Sequence, residues 1–182
     1  KEHGRSLFAA WHSRESYCVD QAKIWLMDRY IKTISIYWAE DIRVWHPGQE
    51  WILATNGYGV FDPGINALSI LTKLTAGSIQ LEYAMLDFPA NRASPVAAEL
   101  RLTIDNKIPV TVDFNFLQQG PPRWDIIIET DNEIVELRQG GRQLWIDGTI
   151  AANCADEEYP RLYQHFAELI RNSKSDIDLR PL

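Results

Sequence analysis

Cysteine is scarce in this chain. Only Cys18 and Cys154 occur in 182 residues, far apart and in no metal-ligand spacing, so they read as reduced thiols of a cytoplasmic protein rather than a disulfide framework. No G-x-G-x-x-G and no G-x-x-x-x-G-K-[ST] is present, which leaves no phosphate cradle for a nucleotide. H-E-x-x-H and related spacings are also missing, so no metal site is expected. No apolar run is long enough to span a bilayer core, and the polar start Lys1 to Arg5 does not read as a signal peptide. Basic residues are outnumbered, 18 against 25 acidic, for a net charge of −7. With no basic stripe, that balance repels polyanions and argues against nucleic acid or an anionic membrane as partner. Repeats, linkers and low-complexity stretches are absent too.

What is present is hydrophobic and aromatic: 46% hydrophobic residues, with seven Trp and seven Tyr, enough for one sizeable core. Aromatic excess of this kind serves a thick core, a subunit interface or a platform for the C–H face of a sugar ring. Residues 6–11 read as a short buried strand, followed by a helix over Glu15–Arg29 that carries Cys18, Ala22, Trp25 and Leu26 at helical spacing. Thr33–Trp45 alternates as one long strand with Ile34, Ile36, Trp38, Ile42 and Val44 on a face that Glu40 interrupts. A glycine-bearing loop then leads to Asp62-Pro63, read as an N-cap and first helical residue, and to a helix running to about Ala76. Strands follow at Ile79–Phe88, Val96–Ile104, Val110–Phe116, Trp124–Thr130, Ile134–Arg138 and Gln143–Asp147, with a last helix from Asp156 or Tyr159 to Arg171. Strands consecutive in sequence with few helices between them predict an α+β fold of two layers: a large, open, mainly antiparallel β-sheet with helices on one face.

Titratable and aromatic residues concentrate at the ends of these elements: Trp11-His12-Ser13-Arg14, the run Glu40 to Trp51, Asp62 to Asn66, and Gly120 to Asp125. Asp62 and Asn66 are four apart at a helix start, which puts both on one face near the positive end of the helix dipole. The same residues also fit a plain helix cap and a solvent-facing amide. Glu40 and His46, six apart, share a side if the strand stays regular, or are a satisfied strand acid and a loop histidine. His12 at a strand end either faces a ligand crevice or bonds backbone. Trp124 follows Gly-Pro-Pro-Arg, which suits a stacking platform or ordinary sheet packing. Arg14 reads as a capping or pairing residue, Trp38, Trp45 and Trp51 as core or interface, and His3 and His165 as surface residues.

These segments carry a resemblance. LFAAWHSR (7–14), EDIRVWHPGQEWI (40–52) and GVFDPGINALSILTKL (59–74), supported by WDIIIET, GGRQLWIDG and EYPRLYQHFAELI, resemble the glucose–fructose oxidoreductase and inositol dehydrogenase (Gfo/Idh/MocA) family over nearly the whole chain. Within it the likeness is to the branch that oxidises D-galactose or L-arabinose at C1. The resemblance implies a two-domain enzyme. Residues 1–14 would be a remnant of the last strand of an N-terminal Rossmann domain, and 15–182 the C-terminal substrate-binding and oligomerisation domain. The glycine-rich fingerprint, the family's E-K-P lysine and a closing helix would all lie outside this sequence, so the chain is expected to be cut at both ends and inactive alone.

By the same resemblance Asp62 and Asn66 occupy the acid/base positions. Many relatives carry His where Asn66 stands, and since Asn cannot titrate, proton transfer would fall to Asp62 or the absent lysine. His12, Glu40, His46 and Trp124 would contact the sugar. The cofactor would be NAD or NADP, held mainly by the missing domain, with an aldose as substrate and a homo-oligomer formed through the open sheet face. The alternatives are a non-catalytic sugar-binding or oligomerisation domain, whose sheet would pair with another subunit through the face bearing Val110, Val112 and Phe114, or a relative acting on another polyol.

Overall fold

The computed structural model describes residues 5–182; His3 lies outside them. A 3-10 turn at His12–Glu15 precedes helix α1 (Tyr17–Leu26) and strand β1 (Ile31–Ala39). Helix α2 (Ile42–Trp45) is a single turn, a 3-10 turn spans Glu50–Leu53, and α3 runs Phe61–Leu74. Strands β2 (Ile79–Asp87), β3 (Ala97–Ile104), β4 (Ile108–Asn115), β5 (Arg123–Thr130), β6 (Ile134–Arg138), β7 (Gln143–Ile146) and β8 (Thr149–Asn153) follow, and α4 (Glu158–Arg171) is the last helix. The strands form one eight-stranded sheet in the order β2-β3-β4-β1-β5-β6-β7-β8. Only β1 and β4 pair in parallel. The expected open, mainly antiparallel sheet is what forms.

Alternation decides which face is core. Ile34, Ile36 and Trp38 of β1, Val110, Val112 and Phe114 of β4, and Ile126 and Ile128 of β5 are all buried in one cluster with Cys18, Val19, Ala22, Ala67, Ile70 and Leu71 from α1 and α3. Burying a side chain of this size is worth about 1.5–3 kcal/mol, so this face holds the fold together. It also corrects one expectation: Val110, Val112 and Phe114 are covered by helices and cannot form a subunit contact. The uncovered face carries their neighbours, where Arg123 lies over Tyr37 at 3.6 Å and Arg138 over Trp145 at 4.2 Å. Edge strand β2 is exposed along almost its whole length.

Several boundaries move. Residues 6–11 are no buried strand: Phe8 makes one isolated bridge to Asp176, and Leu7 is exposed. The long strand expected to Trp45 stops at Ala39, because Asp41 turns its carboxylate onto the Arg43 N–H and caps the short helix α2, leaving Val44 exposed. Strand β8 completes the sheet beyond the expected meander. The cysteines are not free thiols. Cys18 on α1 and Cys154 just after β8 form a disulfide, with Cα atoms 5.9 Å apart. Sequence distance hid this pairing, which arises because α1 packs across β6 and β7 and meets the chain leaving β8.

Candidate functional site

One end of the sheet gathers polar side chains. Glu40 follows β1 directly and keeps the inward parity of Ile36 and Trp38; its N–H bonds the Asn115 carbonyl at 2.8 Å, so the β1–β4 pairing continues past the strand end. Trp124, on β5, stands opposite Trp38 in the register. The Trp124 indole N–H donates to one Glu40 carboxyl oxygen at 2.9 Å, and the other oxygen lies 2.7 Å from His46 Nε2. Glu40 is almost wholly buried. Burial pushes its carboxyl up from the ordinary value, the bonds from His46 and Trp124 pull it back, and the negative charge of Asp62 pushes it up again.

His46 reaches Glu40 by a different route from a regular strand. The single turn of α2 brings it back, and its ring edge packs on Phe116 at 5.5 Å. Its Nδ1 is buried without a hydrogen-bond partner, the sole such side-chain atom among the described residues. Trp45 places its ring edge-on to Trp124 at 4.7 Å and stays half exposed. It was expected to be core or interface, whereas it extends the aromatic lining around Trp124.

Asp62 enters from α3. The helix begins at Phe61 with Val60 as the residue before it and no side-chain cap, so Asp62 is not the N-cap and Pro63 is the third helical residue. Proline is tolerated there because N–H groups of a first turn have no helical acceptor. Among the described residues the Asp62 carboxylate and the Asn66 amide have no hydrogen-bond partner, and neither is sealed from solvent. Partial burial pushes the Asp62 carboxyl up, while the charge of His46 draws it down, so the two groups sense each other. Close seating of α3 depends on Gly64, where an added Cβ would come within 2.6 Å of the Phe114 ring.

Asp62 also borders a groove of about 910 Å³ that is mostly apolar, walled by α3, β2 and β3 and touched by Trp11, Tyr58 and Arg180. Asn66, Glu40, His46 and His12 do not line it. His12 lies elsewhere, on the 3-10 turn that packs against both α3 and α4. Its Nδ1 is 2.7 Å from a Glu158 carboxylate oxygen, and its ring stacks on Tyr159. Arg14 does pair, with Asp178 at 2.8 Å, and His165 pairs with Asp176 at 2.9 Å. The structure therefore brings Glu40, His46 and Trp124 into contact, with Asp62 in electrostatic reach, and sets His12 in a separate pair. Glu158 and Tyr159 were legible only as part of a supporting stretch. Among the described residues no group of three or more His, Cys, Asp or Glu could hold a metal, and no helix is long and apolar enough to cross a membrane.

No protein-family model matches the chain. The galactose 1-dehydrogenase of Pseudomonas fluorescens is 40% identical over 161 residues, 88% of this chain and 53% of that protein. The crystal structure of the Rhizobium etli D-galactose-1-dehydrogenase protein matches with a TM-score of 0.93 and 44% identity, covering 99% of this chain and 58% of that one. This chain is a homologue of the galactose 1-dehydrogenases. It spans about half the length of those relatives. An inositol dehydrogenase homologue of Azotobacter vinelandii, complexed with NAD+, shares only the fold, at 11% identity and a TM-score of 0.78 over 93% of this chain. The likeness is thus one of sequence to the galactose 1-dehydrogenases and one of fold to the inositol dehydrogenase homologue.

Proposed function

We propose that this chain is the substrate-binding half of an NAD(P)-dependent dehydrogenase that oxidises an aldose, D-galactose or L-arabinose, at C1 to the lactone. The observation that carries the reading is the Asp62 carboxylate. It stands in the first turn of a helix with no hydrogen-bond partner among the described residues, beside a His46–Glu40 pair, in a chain 44% identical to a D-galactose-1-dehydrogenase protein over nearly all of this chain's length. Asp62 accepts the proton of the anomeric hydroxyl, and Asn66, one turn on, holds that hydroxyl or the ring oxygen. Trp124 spends its N–H on Glu40 and so offers the sugar its ring, with Trp45 beside it. Glu40 and His46 back this wall, and His12, outside the groove but next in sequence to Trp11 on its wall, accepts a further hydroxyl.

Loss of hydride from C1 needs an acceptor, which is the chemistry a nicotinamide supplies. The residues present do not fit the rest of a dinucleotide, since no glycine-rich strand-to-helix turn cradles a pyrophosphate. NAD or NADP is therefore bound by residues outside these 182, in a separate cofactor domain. The uncovered sheet face, with its stacked arginines and aromatic rings, is the surface for a homo-oligomer. Steady-state kinetics of the full-length protein across aldoses with both cofactors tests the reading. Asp62→Ala is expected to lower kcat by roughly 10²-fold or more. An unchanged kcat removes Asp62 from the chemistry.

A further inference from the structure

Two residues at the start of α4, Glu158 and Tyr159, flank His12. Glu158 is nearly buried, and its carboxylate oxygen is 2.7 Å from His12 Nδ1. The Tyr159 ring lies parallel to the imidazole, with centroids 5.1 Å apart and planes within 11°. The Ser13 hydroxyl oxygen is also near Nδ1, at 3.3 Å. Among the described residues the other ring nitrogen, Nε2, has no hydrogen-bond partner, and the side chain is 34% exposed. Which nitrogen of a neutral imidazole carries the proton is set by the bond the other makes, and a carboxylate accepts only.

We propose that Glu158 and Tyr159 are positioning residues that fix the tautomer and ring plane of His12, holding its proton on Nδ1 so that Nε2 accepts a hydroxyl from the sugar. The inference rests on the sugar-binding reading of His12 and adds to it the partners that orient the ring. Other bonds make the arrangement stiff. Arg161, one turn along α4, reaches both the Glu15 carbonyl and Asp20, and Asp20 pairs with Lys73 of α3 at 2.7 Å. On the other side of the turn, the Trp11 indole N–H donates to the Asp178 carbonyl at 2.7 Å. The Cys18–Cys154 bridge anchors the chain just before α4. An imidazole held this way presents a lone pair rather than an N–H, and so selects a ligand group that can donate.

Two measurements on the full-length protein test the assignment. In histidine-labelled protein at about pH 8.5, above the ordinary imidazole pKa of about 6.5, two-bond 1H–15N spectra should show His12 protonated on Nδ1, its signals identified by their loss in His12→Asn. Glu158→Ala should move the proton to Nε2, whereas Glu158→Gln, whose amide oxygen still accepts, should keep it on Nδ1. Kinetically, Glu158→Ala should raise KM for the aldose about tenfold, the worth of one hydrogen bond, with kcat within about twofold of wild type, and Glu158→Gln should restore most of the affinity. If Glu158→Ala does not fold, Tyr159→Leu serves: KM should rise with the tautomer unchanged. Wild-type His12 protonated on Nε2, or wild-type KM in the Ala and Leu variants, overturns the proposal. A full-length protein that oxidises no aldose would sink the functional reading instead, and the spectra would still decide whether Glu158 sets the tautomer.

Discussion

Two histidine–carboxylate pairs, His46–Glu40 and His12–Glu158, have the same 2.7 Å separation and opposite settings. In the inner pair both side chains are withdrawn from water, at 16% and 4% exposure; in the outer pair the histidine is 34% exposed. Glu40 takes a second bond from Trp124, so it is tied into the sheet as well as to its histidine. Glu158 is tied to the turn before α1 and to a helix whose buried contacts are few. Equal geometry therefore does not mean equal consequence. The inner pair stabilises the end of the sheet and shapes the electrostatics around Asp62, whereas the outer pair tunes one ring.

The largest expected contrast is in stability. Glu40→Ala leaves the Trp124 N–H and the His46 ring buried without an acceptor and should cost about 3 kcal/mol in denaturant unfolding. Glu158→Ala, in a partly solvated setting, should cost about 1 kcal/mol. Equal losses would erase the distinction. Next in size is reduction of the Cys18–Cys154 bridge by a dithiol, expected to lower stability by about 2 kcal/mol. It should raise hydrogen exchange over residues 154–162, next to the outer pair, and leave the Trp124–Glu40 region unchanged. The smallest is a pH effect. Burial raises the folded-state Glu40 carboxyl above its ordinary 4.5, so between that value and the folded one the native protein holds more protons than the unfolded chain. Stability should then fall as pH rises through that window, and the fall should flatten in Glu40→Gln, as thermal melts across pH would record.

The sheet and its inward face were legible because apolar residues recur at every second position through β1, β3, β4 and β5. Glu40 was correctly placed on the Trp38 stripe by that same parity. The end of β1 was not legible, since Ile42 and Val44 continue the alternation while Asp41 caps a turn that only the local backbone reveals. Strand β8, small-residued and at the sheet edge, lacks the bulk that marks a strand in sequence. The start of α3 was misread by two residues because Asp-Pro is a strong start signal, although proline fits anywhere in a first turn. The disulfide and the His12–Glu158 bond join distant segments through packing, and no local pattern records them.

The place of β1 in the middle of the sheet bears on how the protein is made. Its neighbours β4 and β5 begin at Ile108 and Arg123, long after β1 ends at Ala39. During synthesis from the N-terminus, Ile34, Ile36 and Trp38 must leave the ribosome with both strand edges bare and wait for partners encoded far downstream. Nascent chains arrested before β4 should therefore engage chaperones, and the Glu40–Trp124 bond can close only once the polypeptide has emerged past β5.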